Sequence, residues 1–368
     1  MRERRKTRKI FVGNVPIGGD APISVQSMTT TKTEDVVATV EEIHRLEEAG
    51  CELVRVAVPH ERDAMALGRI RSQIRIPLIA DIHFDYRLAL IALDEGIDCV
   101  RLNPGNIGSS ERVRQVVKAC SERKVPIRIG VNAGSLEEDL LDRFGYPTAE
   151  AMVESAMRHV RILEELDFFD TKISIKASSV PLMVEAYRKL SAACDYPLHV
   201  GVTEAGMPPS GLVKSAIGIG MLLAEGIGDT IRVSLTADSV QEVQAGYDIL
   251  RTLNIRAKGA LIVACPTCGR IEVDLFKLVE EAKARLAHVD KPITVSILGC
   301  AVNGPGEARE SDIGIAGGKN GGLLIRKGKI IGRYGEGELV DALVHAVDEM
   351  IAADDFGDSR GGGRAVAG

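Results

Sequence analysis

Five stretches decide the fold: LVRVAV (53–58), PLIADIHF (77–84), CVRLNPG (99–105), PIRIGVN (126–132) and TKISIKAS (171–178). Each is a short run rich in β-branched residues, and each is followed by a turn and a helical pattern. Working outward, the same unit recurs at ISVQSM (23–28), PLHVGVTEAG (197–206) and TIRVSLTAD (230–238). Segments between them, such as DVVATVEEIHRLEEAG (35–50), carry Val, Ile and Leu at three- and four-residue spacing and close on a glycine, the marks of an amphipathic helix. Eight strand–helix units within residues 23–256 predict an α/β protein whose parallel sheet closes into a (β/α)8 TIM barrel. An open, doubly wound sheet is the competing arrangement, but it usually uses fewer units.

The flanks read differently. Residues 1–22 begin with MRERRKTRK, six basic residues in nine, with no apolar stretch behind them. This is no secretory signal but a solvated tail, followed by a small hairpin, KIFVGNVPIGGDAPI (9–23), that closes the barrel floor. A reducing, cytoplasmic setting is expected, which leaves thiols free for metal chemistry. Residues 257–353 form a second, smaller α/β domain. Its pattern is strand GALIVAC (259–265), helix EVDLFKLVEEAKARLAHV (272–289), strand ITVSILGC (293–300), a Gly-rich segment, strand-like LLIRKGKIIGRY (323–334) and helix ELVDALVHAVDEMI (338–351). The Gly/Arg/Asp-rich stretch 354–368 is expected to be disordered.

Across 368 residues, 46 Lys+Arg meet 52 Asp+Glu, a net charge of −6. Aromatics are 4% with no Trp, so neither the basic field nor the stacking platform of a nucleic-acid binder is present. No stretch approaches the ~18 uninterrupted apolar residues of a membrane span. Position matters more than the sum. Arg55 lies between Val54 and Val56, Arg101 between Val100 and Leu102, and Arg128 between Ile127 and Ile129. Lys176 lies between Ile175 and Ala177, and Arg232 between Ile231 and Val233. Side chains alternate along a strand, so with the apolar neighbours packed outward on helices, these five cations point into the barrel. Asp81 and His83 share the alternation, Glu204 ends the seventh strand, and Asn132 and Ser234 stand at strand ends. Too few strand-borne acids are available to neutralise the cations, and a buried unpaired charge is very costly. They therefore call for a polyanionic ligand, a phosphate or diphosphate ester, at the C-terminal mouth where barrel enzymes work.

Of seven cysteines, Cys265-Pro-Thr-Cys268 follows one strand and Cys300 another. The spacing suits zinc, a thiol redox pair or an iron–sulfur centre. A structural zinc would want a fourth Cys or His at short spacing, and a redox pair would leave Cys300 unexplained. Three thiolates can hold a [4Fe–4S] cluster with one iron left over, for which Glu307 in GCAVNGPGE is a plausible oxygen donor. Cys51, Cys99, Cys120 and Cys194 read as small apolar residues. The glycines of GIGMLLAEGIG (218–228) lie within a helical pattern rather than directly after a strand, so they are no dinucleotide fingerprint.

Seven ordered motifs carry a resemblance: VQSMT (25–29), ADIHFDYR (80–87), RLNPGNIG (101–108), RIGVNAGSL (128–136), VTEAG (202–206), ACPTCGR (264–270) and GCAVNGPGEA (299–308). Together they resemble the bacterial 4-hydroxy-3-methylbut-2-enyl diphosphate synthases, over nearly the whole chain. The resemblance implies an iron–sulfur oxidoreductase of the methylerythritol phosphate route to isoprenoids. Such an enzyme opens 2-C-methyl-D-erythritol 2,4-cyclodiphosphate reductively, with loss of water, using electrons from flavodoxin or ferredoxin. It implies that Cys265, Cys268, Cys300 and Glu307 ligate a [4Fe–4S] cluster in a reductase-like second domain. It also implies that Arg55, Arg101, Arg128, Lys176 and Arg232 clamp the diphosphate with Asn132 and Ser234, that Glu204 is the acid/base group, and that Asp81, His83 and Asn303 line the site. The insert of some relatives is absent, and two-domain members imply a homodimer in which the second domain of one subunit covers the barrel of the other. A zinc-stabilised, redox-silent barrel synthase and an iron–sulfur sensor or electron carrier are the alternatives. A carrier would have no use for five barrel cations.

Overall fold

The computed structural model describes residues 2–300 and 310–354, so Asn303, Glu307 and all but the first residue of the 354–368 stretch lie outside the described residues. The chain divides into two compact units, residues 1–256 and 257–368.

In the first unit, hairpin β1 (Ile10–Val12) and β2 (Val15–Ile17) precedes eight parallel strands. These are β3 (Ser24–Met28), β4 (Leu53–Ala57), β5 (Leu78–Asp81), β6 (Cys99–Arg101), β7 (Ile127–Asn132), β8 (Thr171–Lys176), β9 (His199–Val200) and β10 (Thr230–Ile231). The sheet runs β8-β7-β6-β5-β4-β3-β10-β9, and a parallel bridge from Ile173 to Leu198 brings its ends together. The expected barrel is therefore present. The outward residues of the strands pack against the surrounding helices: Val54 and Val56, Ile127 and Ile129, and Ile173 and Ile175 are at most 1% exposed and join one continuous core with Ile43, Leu67, Val116 and Leu190. β9 and β10 leave the ladder after two residues, earlier than their apolar runs suggested, so Glu204, Arg232 and Ser234 sit on the extensions toward the barrel mouth. Helix Ser210–Ala224 contains Gly218 and Gly220, in keeping with their reading as helix glycines. Among the described residues no helix is long and apolar enough to cross a membrane.

At the barrel floor, Ile10, Val12 and Ile17 of the hairpin pack on Leu53, Ile79 and Cys99, all at most 2% exposed. The basic N-terminus differs from the solvated tail expected. Main-chain N–H groups of Arg2, Arg5 and Arg8 donate to Ala224, Gly226 and Asp195 at 3.0, 2.9 and 2.9 Å. Arg4 pairs with Asp229 at 2.7 Å, and Arg5 donates to the carbonyls of Ser191 in the last turn of helix Val180–Ala193 and of Cys194 and Tyr196 just after it. Basic side chains are favoured there because the last carbonyls of a helix lack intrahelical donors.

The second unit has a five-stranded mixed sheet in the order β11 (Ala260–Ala264), β12 (Ile293–Leu298), β13 (Ile313–Gly318), β14 (Gly321–Arg326) and β15 (Lys329–Tyr334). Its first three strands are parallel, and β13, β14 and β15 are joined antiparallel. Helices Leu275–Arg285 and Leu339–Ala352 bury Leu278, Ala282, Leu343 and Val347 against Val295, Ile297, Ile313 and Ile315. β13 arises from part of the segment read only as Gly-rich. Its glycines permit close strand packing, since a Cβ on Gly314 would collide with Ser296 of β12, while Ile313 and Ile315 face the helices.

Candidate active site

The five cations expected inside the barrel are there. Arg55, Arg101, Arg128 and Lys176 are 8%, 7%, 2% and 6% exposed, and the Arg232 side chain is 15% exposed. With Asp81, His83, Asn132 and Ser234 they line a single cavity, together with Gly130, Val131, Ser174 and Thr203. Parallel register explains the convergence, because Arg55 pairs with Ile79, Asp81 with Arg101, Arg101 with Arg128, and Asn132 with Lys176.

Two acids answer the five cations only in part. Asp81 lies 3.2 Å from Arg101 NH1 and 3.6 Å from Arg55 Nε, with His83 Nδ1 at 3.9 Å. Glu242, reaching in from helix Ser239–Thr252, lies 3.5 Å from Arg232 NH2 and accepts from Ser27 Oγ and the Leu235 N–H, both at 2.9 Å. The remaining guanidinium contacts are to soft or neutral groups. Arg55 donates to Met28 Sδ at 3.2 and 3.0 Å, and Arg101 donates to the Gly130 carbonyl at 2.6 Å. Arg128 Nε and NH1 are buried without a hydrogen-bond partner among the described residues.

The titration behaviour follows. Burial penalises the charged form of Lys176, and Arg232, Arg128 and Arg55 add repulsion, so its ammonium is held well below its ordinary value. Burial and Arg101 likewise bring Arg128 down to about 10. Burial opposes ionisation of Asp81, yet Arg55, Arg101 and Arg128 hold its carboxyl below the usual value. Burial, against the pull of Asp81, lowers His83. The pocket stores positive charge that a dianion would relieve.

Glu204 is exposed, beside Thr203 of the lining but not itself in it. Its φ of +52° is a left-handed conformation that costs a non-glycine residue on the order of 1 kcal/mol. Lys214 Nζ donates to the Glu204 carbonyl at 3.2 Å, and Thr236 N–H holds the Gly206 carbonyl at 3.1 Å. Such strain concentrates where a side chain must be aimed rather than merely accommodated.

In the second unit, β11 and β12 deliver Cys265 and Cys300 to neighbouring strand ends, Ala264 lying opposite Ile297. Cys265 Sγ accepts the Gly299 N–H at 3.2 Å. Cys268 is exposed, and hydrogen bonds from Arg270 lower its thiol. No three His, Cys, Asp or Glu side chains among the described residues are close enough to hold a metal ion. The donor chemistry nonetheless fits an iron–sulfur cluster: a Cys-x-x-Cys pair, a third thiol on the adjacent strand end, and a main-chain donor already on sulfur. The other cysteines match their plain reading, with Cys51, Cys99 and Cys120 buried and Cys194 half-buried.

The sequence reading did not single out Lys172, Asn103, Met28 or Glu242. Lys172 shares the alternation of Lys176 in TKISIK and is fully buried, so that signal was there to read. Asn103 clamps Gly130, donating to its carbonyl at 3.0 Å and accepting its N–H at 2.8 Å. Glu242 carried no signal, because a helical acid between exposed Gln241 and Gln244 reads as surface.

Comparison with known proteins agrees with the barrel fold. Residues 7–247 match the GcpE TIM-barrel domain and residues 261–349 the GcpE protein C-terminal domain. The chain is 59% identical over 349 residues to a protein of Geobacter sulfurreducens named 4-hydroxy-3-methylbut-2-en-1-yl diphosphate synthase (flavodoxin), covering 95% of this chain and 99% of that one. Proteins of the same name from Symbiobacterium thermophilum and Geobacillus thermodenitrificans are each 57% identical, covering 96% and 94% of this chain and 95% and 93% of theirs. The chain belongs to the GcpE family.

Proposed function

We propose that the barrel cavity binds 2-C-methyl-D-erythritol 2,4-cyclodiphosphate, which the chain opens reductively and dehydrates to 4-hydroxy-3-methylbut-2-enyl diphosphate in isoprenoid precursor synthesis. One observation carries the reading. Four buried cations and the half-buried Arg232 share one cavity, and among the described residues only Asp81 and Glu242 offset them.

The diphosphate sits among Arg55, Arg101, Arg128, Lys176 and Arg232, with Asn132 and Ser234 as neutral donors and Asp81 and His83 completing the wall. Guanidinium forks suit phosphate oxygens in pairs, and the dry walls strengthen each contact. Asp81 keeps Arg55 and Arg101 oriented. Glu204 gives a proton to the oxygen that departs as water. Its strained backbone lies on the extension after β9, beside the mouth where the reacting carbons stand once the diphosphate is seated. Cys265, Cys268, Cys300 and Glu307 would hold a [4Fe–4S] cluster, which when bound passes two electrons one at a time from flavodoxin or ferredoxin. Two electrons and protons enter, the C–O bond of the ring breaks, and one water leaves. Electrons must reach the barrel pocket, and by resemblance they do so across a cytoplasmic homodimer whose subunits share each active site, with Asn303 completing it.

The test is anaerobically prepared protein. Iron and sulfide content with visible absorption, together with reductive turnover of the cyclodiphosphate, supports the reading. A colourless, zinc-loaded protein sinks it. Sedimentation showing a fully active monomer would remove the shared site.

A further inference from the structure

A buried imidazole that no step above uses lies against the loops that follow β6 and β7. His159, on helix Ala149–Glu164, is 3% exposed. Its Nδ1 stands 3.1 Å from the Gly105 N–H. A main-chain N–H can only donate, so Nδ1 is the acceptor and the ring proton sits on Nε2. Nε2 in turn faces Glu137 Oε1 at 3.3 Å, and that oxygen also accepts Ser155 Oγ–H at 3.0 Å. Partial burial pushes the Glu137 carboxyl up, but the hydrogen bonds from His159 and Ser155 outweigh it and hold it at about 2, a firm anionic anchor for the ring.

We infer that His159, as the neutral imidazole, is a positioning residue that sets both loops over the diphosphate through its acceptor contact with Gly105. The inference rests on the reading of the cavity as the diphosphate site. Gly105 follows β6 in the same loop as Asn103, and Asn103 grips the N–H and carbonyl of Gly130 in β7. The Gly130 carbonyl also receives Arg101 at 2.6 Å, and Asn132 follows two residues on. Glu137 closes the loop after β7. One ring therefore ties the loop after β6 to the loop after β7, just beyond Arg101 and Asn132, the last residues of the two strands. The site is built for the ring, since a Cβ on Gly105 would lie 2.9 Å from His159 Cε1 and 3.1 Å from Nδ1.

Three variants separate this role from packing. The Oδ1 of His159→Asn falls where Nδ1 was and can still accept from Gly105. His159→Gln reaches toward Glu137 instead, and His159→Leu keeps only volume. With the holoenzyme, KM for the cyclodiphosphate is expected to rise about tenfold in the Gln and Leu variants, the worth of one good hydrogen bond. In the Asn variant KM stays within about threefold, and kcat in all three changes by less than about threefold. Equal KM in Gln and Asn variants overturns the inference. So does a fall in kcat at unchanged KM, or a loss that only tracks a lower melting temperature, including failure of all three to fold. Arg128→Met is measured alongside. If it also keeps the parent KM, the cavity reading has failed. If it loses affinity while His159→Gln does not, only the role of His159 has.

Discussion

The cations of the barrel and the three thiols of the second unit both depend on parallel strands for their placement, yet they are held in different ways. Arg55, Arg101, Arg128 and Lys176 are members of strands, hydrogen-bonded into the ladder and at most 8% exposed. Cys265, Cys268 and Cys300 follow strands instead of lying in them, and Cys268 is exposed. A strand-borne group is aimed by the sheet whether or not its ligand is present, at the cost of burying charge. A loop-borne thiol takes its final place from what it binds. Substitutions in the barrel should therefore have graded effects, and substitutions among the thiols all-or-none effects.

The largest effect is expected at the thiols. Cys265→Ser, Cys268→Ser and Cys300→Ser each should abolish visible iron–sulfur absorption and reductive turnover, while the barrel still binds diphosphate. A variant retaining both colour and turnover breaks the all-or-none side of the contrast. Next comes Glu204→Gln, which keeps the shape but cannot give up a proton. Turnover should fall by about 10²–10⁴-fold with cluster absorption and substrate affinity unchanged. Near-normal turnover removes Glu204 from the chemistry and leaves its left-handed backbone without a functional reason.

Arg128→Met is the graded case. Losing one charge-assisted contact should weaken cyclodiphosphate binding by about 10–100-fold at fixed salt, measured by calorimetry on the oxidised protein. Binding that is unchanged would mean that the cavity's charge serves the fold rather than a ligand.

The same contrast explains what could be read from the chain alone. Strand alternation is a rigid rule, so Arg55, Arg101, Arg128, Lys176 and Arg232 could be placed in one interior without coordinates, and Asp81 and His83 followed on the same face. What escaped came from other elements. Glu242 and His159 lie on helices, where a polar residue's facing depends on how the helix packs. The N-terminal arm read as solvated because six cations in nine residues give no hint of Asp195, Asp229 and the helix-end carbonyls that receive them. β13 was hidden because glycine weakens a strand in propensity, while here it lets one strand lie close on another.

The smallest effect concerns the residue that alternation offered and the reading passed over. Lys172 pairs in register with Arg128, is fully buried, and its Nζ has no hydrogen-bond partner among the described residues. Burial, with Arg128 and Arg55 nearby, lowers its ammonium from 10.5 to about 8. Because the folded value is depressed, the unfolded chain binds more protons between about pH 8 and about pH 10.4, so this residue's contribution to stability rises with pH across that window. At neutral pH its full cost is present, on the order of 1–3 kcal/mol. Lys172→Met, close in volume and uncharged, should therefore melt several degrees higher than the parent at pH 7, and the difference should shrink as pH climbs toward 10. A lower melting temperature at pH 7 would mean that the charge on Lys172 is satisfied in the folded barrel. The strands would then hold their interior cations without the strain that makes a diphosphate welcome.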